Sequence, residues 1–164
     1  MNTPENRDMQ LSEMLLWHAL HQMEVRHWHD VNGNAGRTAH EFYTEQGVFA
    51  VGETRHEGRE KIREFYAWRA RRGERIARHL VSNFQVVAGA DGRTASAMGV
   101  VSLYGADGVP VLPSRPATMI ADLRSELELG ADGIWRFRAH LLHPLFRGEG
   151  RLAGESNTPA APVL

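Results

Sequence analysis

The sequence contains no cysteine. That excludes a disulfide framework, a thiolate nucleophile and any cysteine-ligated metal. Lysine is nearly absent as well: Lys61 is the only one, and arginine carries the remaining basic charge. No uninterrupted apolar run approaches the length of a membrane span, so no membrane association is expected. The opening MNTPENRDMQ lacks a basic stretch followed by an apolar one, so it is not read as a secretory signal, and a cytoplasmic protein is expected. Nineteen Lys plus Arg balance twenty Asp plus Glu. This leaves no strong basic excess and argues against a nucleic-acid partner. The chain also lacks GxGxxG, a Walker loop, a GxSxG elbow and HExxH, so nothing points to a nucleotide or redox cofactor or to serine hydrolysis. No cofactor is expected.

What is present suits one domain. The chain has 164 residues, 42% of them hydrophobic, enough for one substantial core. Residues 1–8 are polar and expected to be loose, residues 9–147 form the domain, and residues 148–164 read as a flexible tail. From Met9, the positions Leu11, Leu15, Ala19, Leu20 and Met23 recur at helical spacing. This predicts an amphipathic helix that ends near Asp30, before the Asn- and Gly-rich VNGNAG. A short helix over Thr38–Tyr43 and a strand at GVFAVG follow. GREKIREFYAWR is a second helix, with Ile62, Phe65, Tyr66 and Arg69 on one side.

Beyond Arg75 the period changes to two, and strands are predicted at Arg78–Val87, Thr94–Tyr104, Thr118–Leu129 and Trp135–Leu142. Asp91-Gly92, Asp107-Gly108 and Asp132-Gly133 separate them, and Asp-Gly suits tight hairpin turns. Helices first and a meander of long strands afterwards give an α+β fold with a strongly bent antiparallel sheet.

Two ionisable residues lead the search for chemistry. His79 opens a strand, with His79, Val81 and Asn83 on one face, and an imidazole there can act as a general base near neutral pH. The plainer reading is a histidine hydrogen-bonded within the sheet. Asp30 closes the first helix. A carboxylate there is unfavourable toward the helix dipole unless a donor such as an imidazole N–H compensates it. The plainer reading is a solvated turn aspartate. Around this pair, His27, Trp28, Tyr104, Arg138 and His140 are expected to line a substrate pocket, with Tyr104 and Arg138 or His140 assisting a developing oxyanion. Nine histidines make close pairs such as His18/His21 and His140/His143 unsurprising, and no metal site is expected.

The helix GREKIREFY, the strand ARHLVSNFQVV and the closing DGIWRFRAHLLHPLFR together resemble the SnoaL-like group of the NTF2-like superfamily, over Met9 to Arg147. The resemblance implies a cone-shaped α+β barrel, a pocket between a long helix and the curved sheet, and a homodimer. It also implies dehydratase, dehydrochlorinase, steroid isomerase or polyketide cyclase chemistry. In its dehydratase and dehydrochlorinase branch a carboxylate late in the first helix orients a histidine on the sheet, and Asp30 and His79 match those places. Val25 stands where those members carry lysine or tyrosine, so neither specific substrate transfers.

The resulting expectation is a cofactor-independent lyase or isomerase. His79 would take a proton from a small hydrophobic substrate with a carbonyl or conjugation beside the reacting carbon, and Asp30 would stabilise the imidazolium. Small subunits of aromatic-ring dioxygenases share the fold and a similar strand. This keeps a noncatalytic ligand-binding or support role open as the alternative, with polyketide cyclisation as a third.

Overall fold

The alternation in Met119–Leu129 is almost unbroken in space: Met119, Ala121, Leu123, Ser125 and Leu127 are buried while the residues between them are less so. This strand is the spine of a six-stranded sheet in a computed structural model that describes residues 3–148. The strands are β1 (Tyr43–Val51), β2 (Thr54–Glu57), β3 (Arg75–Ala88), β4 (Thr94–Asp107), β5 (Met119–Leu129) and β6 (Trp135–Arg147). Their spatial order is β2-β1-β6-β5-β4-β3. Every pairing is antiparallel except β1 with β6, which is parallel and returns the helical N-terminal half to the sheet. The predicted α+β architecture, with helices packed on a curved sheet, is therefore the observed one. Two of the Asp-Gly pairs close two-strand hairpins, with Gly92 at φ 64° and Gly133 at φ 75°.

Helix α1 (Pro4–Gly33) is longer at both ends than expected. It starts at Pro4 because Thr3 caps it, accepting the Asn6 N–H, and proline is preorganised for the first turn. Its first half does not bury its apolar positions: Leu11 and Leu15 are exposed. The buried stripe is Leu20, Met23, Glu24, His27, Trp28 and Val31, which packs on the sheet chiefly through β3. A 3-10 turn (Ala39–Phe42) stands where the second short helix was expected, and helix α2 (Arg59–Ala70) buries Ile62 and Tyr66. Gly36, at φ 74°, lets the intervening loop lie on the Tyr66 ring, since a Cβ there would come within 2.3 Å of it. The expected tail of residues 148–164 lies, from 149 onward, outside the described residues. No helix among the described residues is long and apolar enough to cross a membrane.

Two irregularities decide which side chains reach the interior. In β6, Leu127 pairs with Phe137 and Glu126 with Ala139, so Arg138 is an extra residue, a β-bulge. Phe137 and His140 are consequently both fully buried, stacked 4.2 Å apart, and Arg138 is exposed. In β3, the register slips between Ser82 and Gln85, Asn83 sits at φ 51°, and the inward set changes from Ala77, His79 and Val81 to Phe84 and Val86. Asn83 itself is exposed, contrary to the strand-face reading.

Candidate active site

His79 comes from the inward face of β3 and reaches the wall of a small cavity of about 40 Å³. The same cavity is lined by Trp28, Phe49, Phe65, Tyr66 and Arg69. Its imidazole is fixed on two sides. The Trp28 indole stacks on it, centroids 4.2 Å apart and planes 14° from parallel. Asn32 Oδ1 lies 2.7 Å from His79 Nδ1 and also accepts the His79 backbone N–H at 3.2 Å. A carboxamide oxygen can only accept, so Nδ1 carries the proton and Nε2 keeps its lone pair. Burial lowers the imidazole pKa well below 6.5, and the charges of Arg69, His140 and Arg75 lower it further. A neutral imidazole with a free Nε2 is the protonation state a general base needs.

The proposed orienting carboxylate is not the group that holds this ring. Asp30 Oδ1 accepts from Asn34 Nδ2 at 2.6 Å and Thr38 Oγ1 at 2.8 Å, and Oδ2 accepts the Thr38 N–H at 3.1 Å. Because α1 runs to Gly33, Asp30 ties its last turn to the following loop. Asn32 is displaced about 200° around the helix from Asp30 and reaches β3 instead. The side chain that orients the His79 ring is thus Asn32.

The other expected pocket residues divide three ways. Trp28 is at the cavity. His27 and His140 are fully buried behind it, in a polar chain within the core rather than on its lining. Tyr104 and Arg138 are away from it: Tyr104 is exposed beside Pro113 and Arg115, and Arg138 is exposed and pairs with Glu128 at 3.7 Å. Strand alternation turns Tyr104 outward from its inward neighbour Leu103, and the bulge does the same for Arg138.

Glu24 was missed. It is 1% exposed, on the buried stripe of α1, and its Oε1 accepts from Trp28 Nε1 at 2.6 Å and from His140 Nε2 at 2.9 Å. That acceptor fixes the tautomers down the chain. His140 donates from Nε2, so its Nδ1 accepts from the Tyr43 hydroxyl at 2.8 Å. The Tyr43 oxygen then accepts from His27 Nε2 at 3.3 Å, and Tyr66 Oη lies 3.5 Å from the same nitrogen. Burial raises the Tyr43 pKa, aided by Tyr66 and Glu24, and raises that of Tyr66, so both phenols stay protonated. The signal was in the sequence: Leu20, Met23, Glu24, His27, Trp28 and Val31 follow the helical stripe, with two ionisable residues inside it.

Beside the cavity lies a surface cleft of about 460 Å³, in the size range of small-molecule sites, and Arg69 and Arg75 line both spaces. A larger groove of about 1220 Å³ runs along the exposed first half of α1, but mainly apolar side chains line it and it does not include His79. Among the described residues no group of three His, Asp or Glu side chains is placed to hold a metal ion.

The sequence model of the SnoaL-like domain matches residues 15–140, most of the chain and all of the site. The chain belongs to the SnoaL-like family. Among curated proteins none matches it in sequence. Solved structures share its fold at low identity. A protein from Novosphingobium aromaticivorans put forward as a scytalone dehydratase aligns with TM-score 0.72 and 15% identity, over 89% of this chain and 93% of that one. ActVI-ORFA from Streptomyces coelicolor aligns with TM-score 0.67 and 15% identity, over 79% and 97%. An NTF2-like protein with a cystatin-like fold, also from N. aromaticivorans, aligns with TM-score 0.66 and 18% identity, over 88% and 92%. These likenesses establish the fold of this SnoaL-like chain. Its chemistry has to come from the site.

Proposed function

We propose that this SnoaL-like protein is a cofactor-independent acid–base enzyme, a dehydratase-type lyase or a double-bond isomerase, with His79 as the general base. The observation that carries the reading is the arrangement of His79: Nδ1 committed to Asn32, the ring stacked on Trp28, and the side chain on the wall of the cavity. The similarity to a protein put forward as a scytalone dehydratase fits a dehydration.

In the forward step, His79 Nε2 takes a C–H proton from the carbon next to a substrate carbonyl. The C–H electron pair delocalises onto the carbonyl oxygen. Tyr66 lines the cavity, and because His27 Nε2 carries a proton for Tyr43 it cannot accept the Tyr66 hydroxyl, which is free to donate to the enolate. For elimination, the pair returns to form C=C as the β-carbon–oxygen bond breaks. The leaving oxygen takes that bonding pair and the proton from the imidazolium, and water departs. For isomerisation the imidazolium returns the proton to the γ-carbon. A positioned histidine base contributes roughly 10²–10⁴-fold in rate, enough for an activated C–H.

The cavity holds little more than a water or two. Substrate therefore sits mainly in the cleft, and it reaches the cavity through rearrangement of the shared wall at Arg69 and Arg75.

The test is a panel of β-hydroxy carbonyl compounds followed by the ultraviolet absorbance of the new conjugated double bond. Turnover by the wild-type protein, falling about 10²-fold or more in His79→Ala, is the expected result. Ligand binding without turnover anywhere in the panel would instead favour the noncatalytic role.

A further inference from the structure

Arg69 carries a partly buried guanidinium with no carboxylate partner among the described residues. Neither an ion pair nor a hydrogen bond among the described residues engages it, whereas its neighbour Arg75 is paired with Asp107 at 2.8 Å. It projects from the last turn of α2, on the same side as Ile62, Phe65 and Tyr66. There it lines both the His79 cavity and the cleft. A partly buried cation without a counter-charge carries a desolvation cost and is retained where something else supplies the anion.

The surroundings do not supply it. Asp30 is spent on Asn34 and Thr38, and Asp107 on Arg75. Glu74, the one acidic residue lining the cleft, is exposed. Arg75 adds a second positive charge at the same wall, and Asn32 lines the cleft with its Oδ1 already committed to His79.

We infer that Arg69, supported by Arg75, forms a carboxylate-binding subsite between the cleft and the His79 cavity, so that the substrate is a small apolar acid that carries a carboxylate in addition to its activating carbonyl or conjugation. This rests on the reading of the His79 cavity as the substrate site, and it narrows the substrate class of that reading. Planar guanidinium groups bind carboxylates through two parallel hydrogen bonds, fixing orientation as well as charge. A carboxylate held there anchors the substrate beside the histidine. The cavity's remaining walls are apolar and aromatic, among them Phe49, Val51 and Phe65, so the part of the substrate that reaches it on rearrangement of the wall is apolar.

The experiment is calorimetric titration of the full chain with cinnamate, an apolar conjugated carboxylate used as a binding probe. Cinnamamide, its uncharged isostere, and inorganic phosphate are run in parallel. Cinnamate is expected to bind at least about tenfold more tightly than the amide, the loss that follows removal of one charge-assisted contact. Arg69→Gln should remove that preference by weakening cinnamate alone, and Arg69→Lys should retain part of it, with thermal melts reporting that both variants are folded. Equal affinity for acid and amide, wild-type cinnamate binding by folded Arg69→Gln, phosphate binding as tight as cinnamate, or no cinnamate binding at all would each overturn the subsite. His79→Gln separates this from the catalytic reading. If the subsite is right it still binds cinnamate with the acid preference, whether or not turnover depends on the histidine.

Discussion

Trp28 and His79 lie face to face, 4.2 Å between centroids, with the indole N–H of Trp28 held at 2.6 Å by the buried carboxylate of Glu24. Glu24 therefore positions the His79 imidazole at one remove: it fixes the indole, and the indole is one wall of the imidazole's slot.

Glu24→Ala leaves the Trp28 N–H and His140 Nε2–H unsatisfied in the core. The expected loss is about 3 kcal/mol, because two buried donors lose their common acceptor. Glu24→Gln keeps an acceptor and should cost markedly less. Chemical denaturation of the two variants checks the order. Equal stability of Ala and Gln would show that the carboxylate is not holding these donors.

How far the sequence revealed this can be seen at three places. The helices, the four long strands and the Asp-Gly turns were legible because each is a local pattern repeated over many residues. The bulge at Arg138 was not, since one extra residue reverses which side chains face inward and no residue type announces it; His140 moved from a pocket lining to the core on that account. The orienter of His79 was misassigned because α1 continues one turn past Asp30, and a two-residue change of position carries a side chain to another side of a helix. Asn83, at positive φ, is a residue type that tolerates that conformation, and so gave a faint sign of the irregularity in β3.

His27 makes folding pH-dependent. Burial, then the charges of His140, His79 and Arg69, hold its pKa well below 6.5 in the folded chain. Unfolded, it titrates near 6.5. Above that pH it is neutral in both states and contributes nothing to the pH dependence. Below it, the unfolded chain binds a proton that the folded chain refuses, so stability falls as pH falls, by up to about 1.4 kcal/mol per unit, until the folded pKa is reached. Denaturation midpoints between about pH 7 and pH 5 should show this decline, reduced in His27→Gln if that variant folds. An identical decline in a folded His27→Gln would assign the effect elsewhere.

Arg69 should cost stability in the ligand-free protein. Arg69→Met keeps much of the apolar stem and removes the desolvated charge, whose own pKa burial and Arg75 lower. The variant is expected to be more stable by roughly 1 kcal/mol while losing activity. A thermal melt paired with the turnover assay reads both, and a destabilised Arg69→Met would mean that the guanidinium is a structural contact.

Asn32 sets the tautomer of His79 but offers only a dipole to the imidazolium. Asn32→Asp places a carboxylate on Nδ1, should raise the His79 pKa, and should move the acid limb of the kcat/KM profile to higher pH. Asn32→Ala frees Nδ1 and is expected to lower kcat more than it raises KM, since the ring loses its orientation. An acid limb that stays in place in Asn32→Asp would separate Asn32 from the base.

The most direct test of the account is nitrogen-15 NMR of the His79 imidazole in the full chain, titrated through neutral pH and assigned with His79→Gln. A neutral ring protonated at Nδ1, with a pKa below 6.5 that rises in Arg69→Gln, is the predicted result. A ring protonated at Nε2, or one titrating at or above the ordinary histidine value, would contradict His79 as the base.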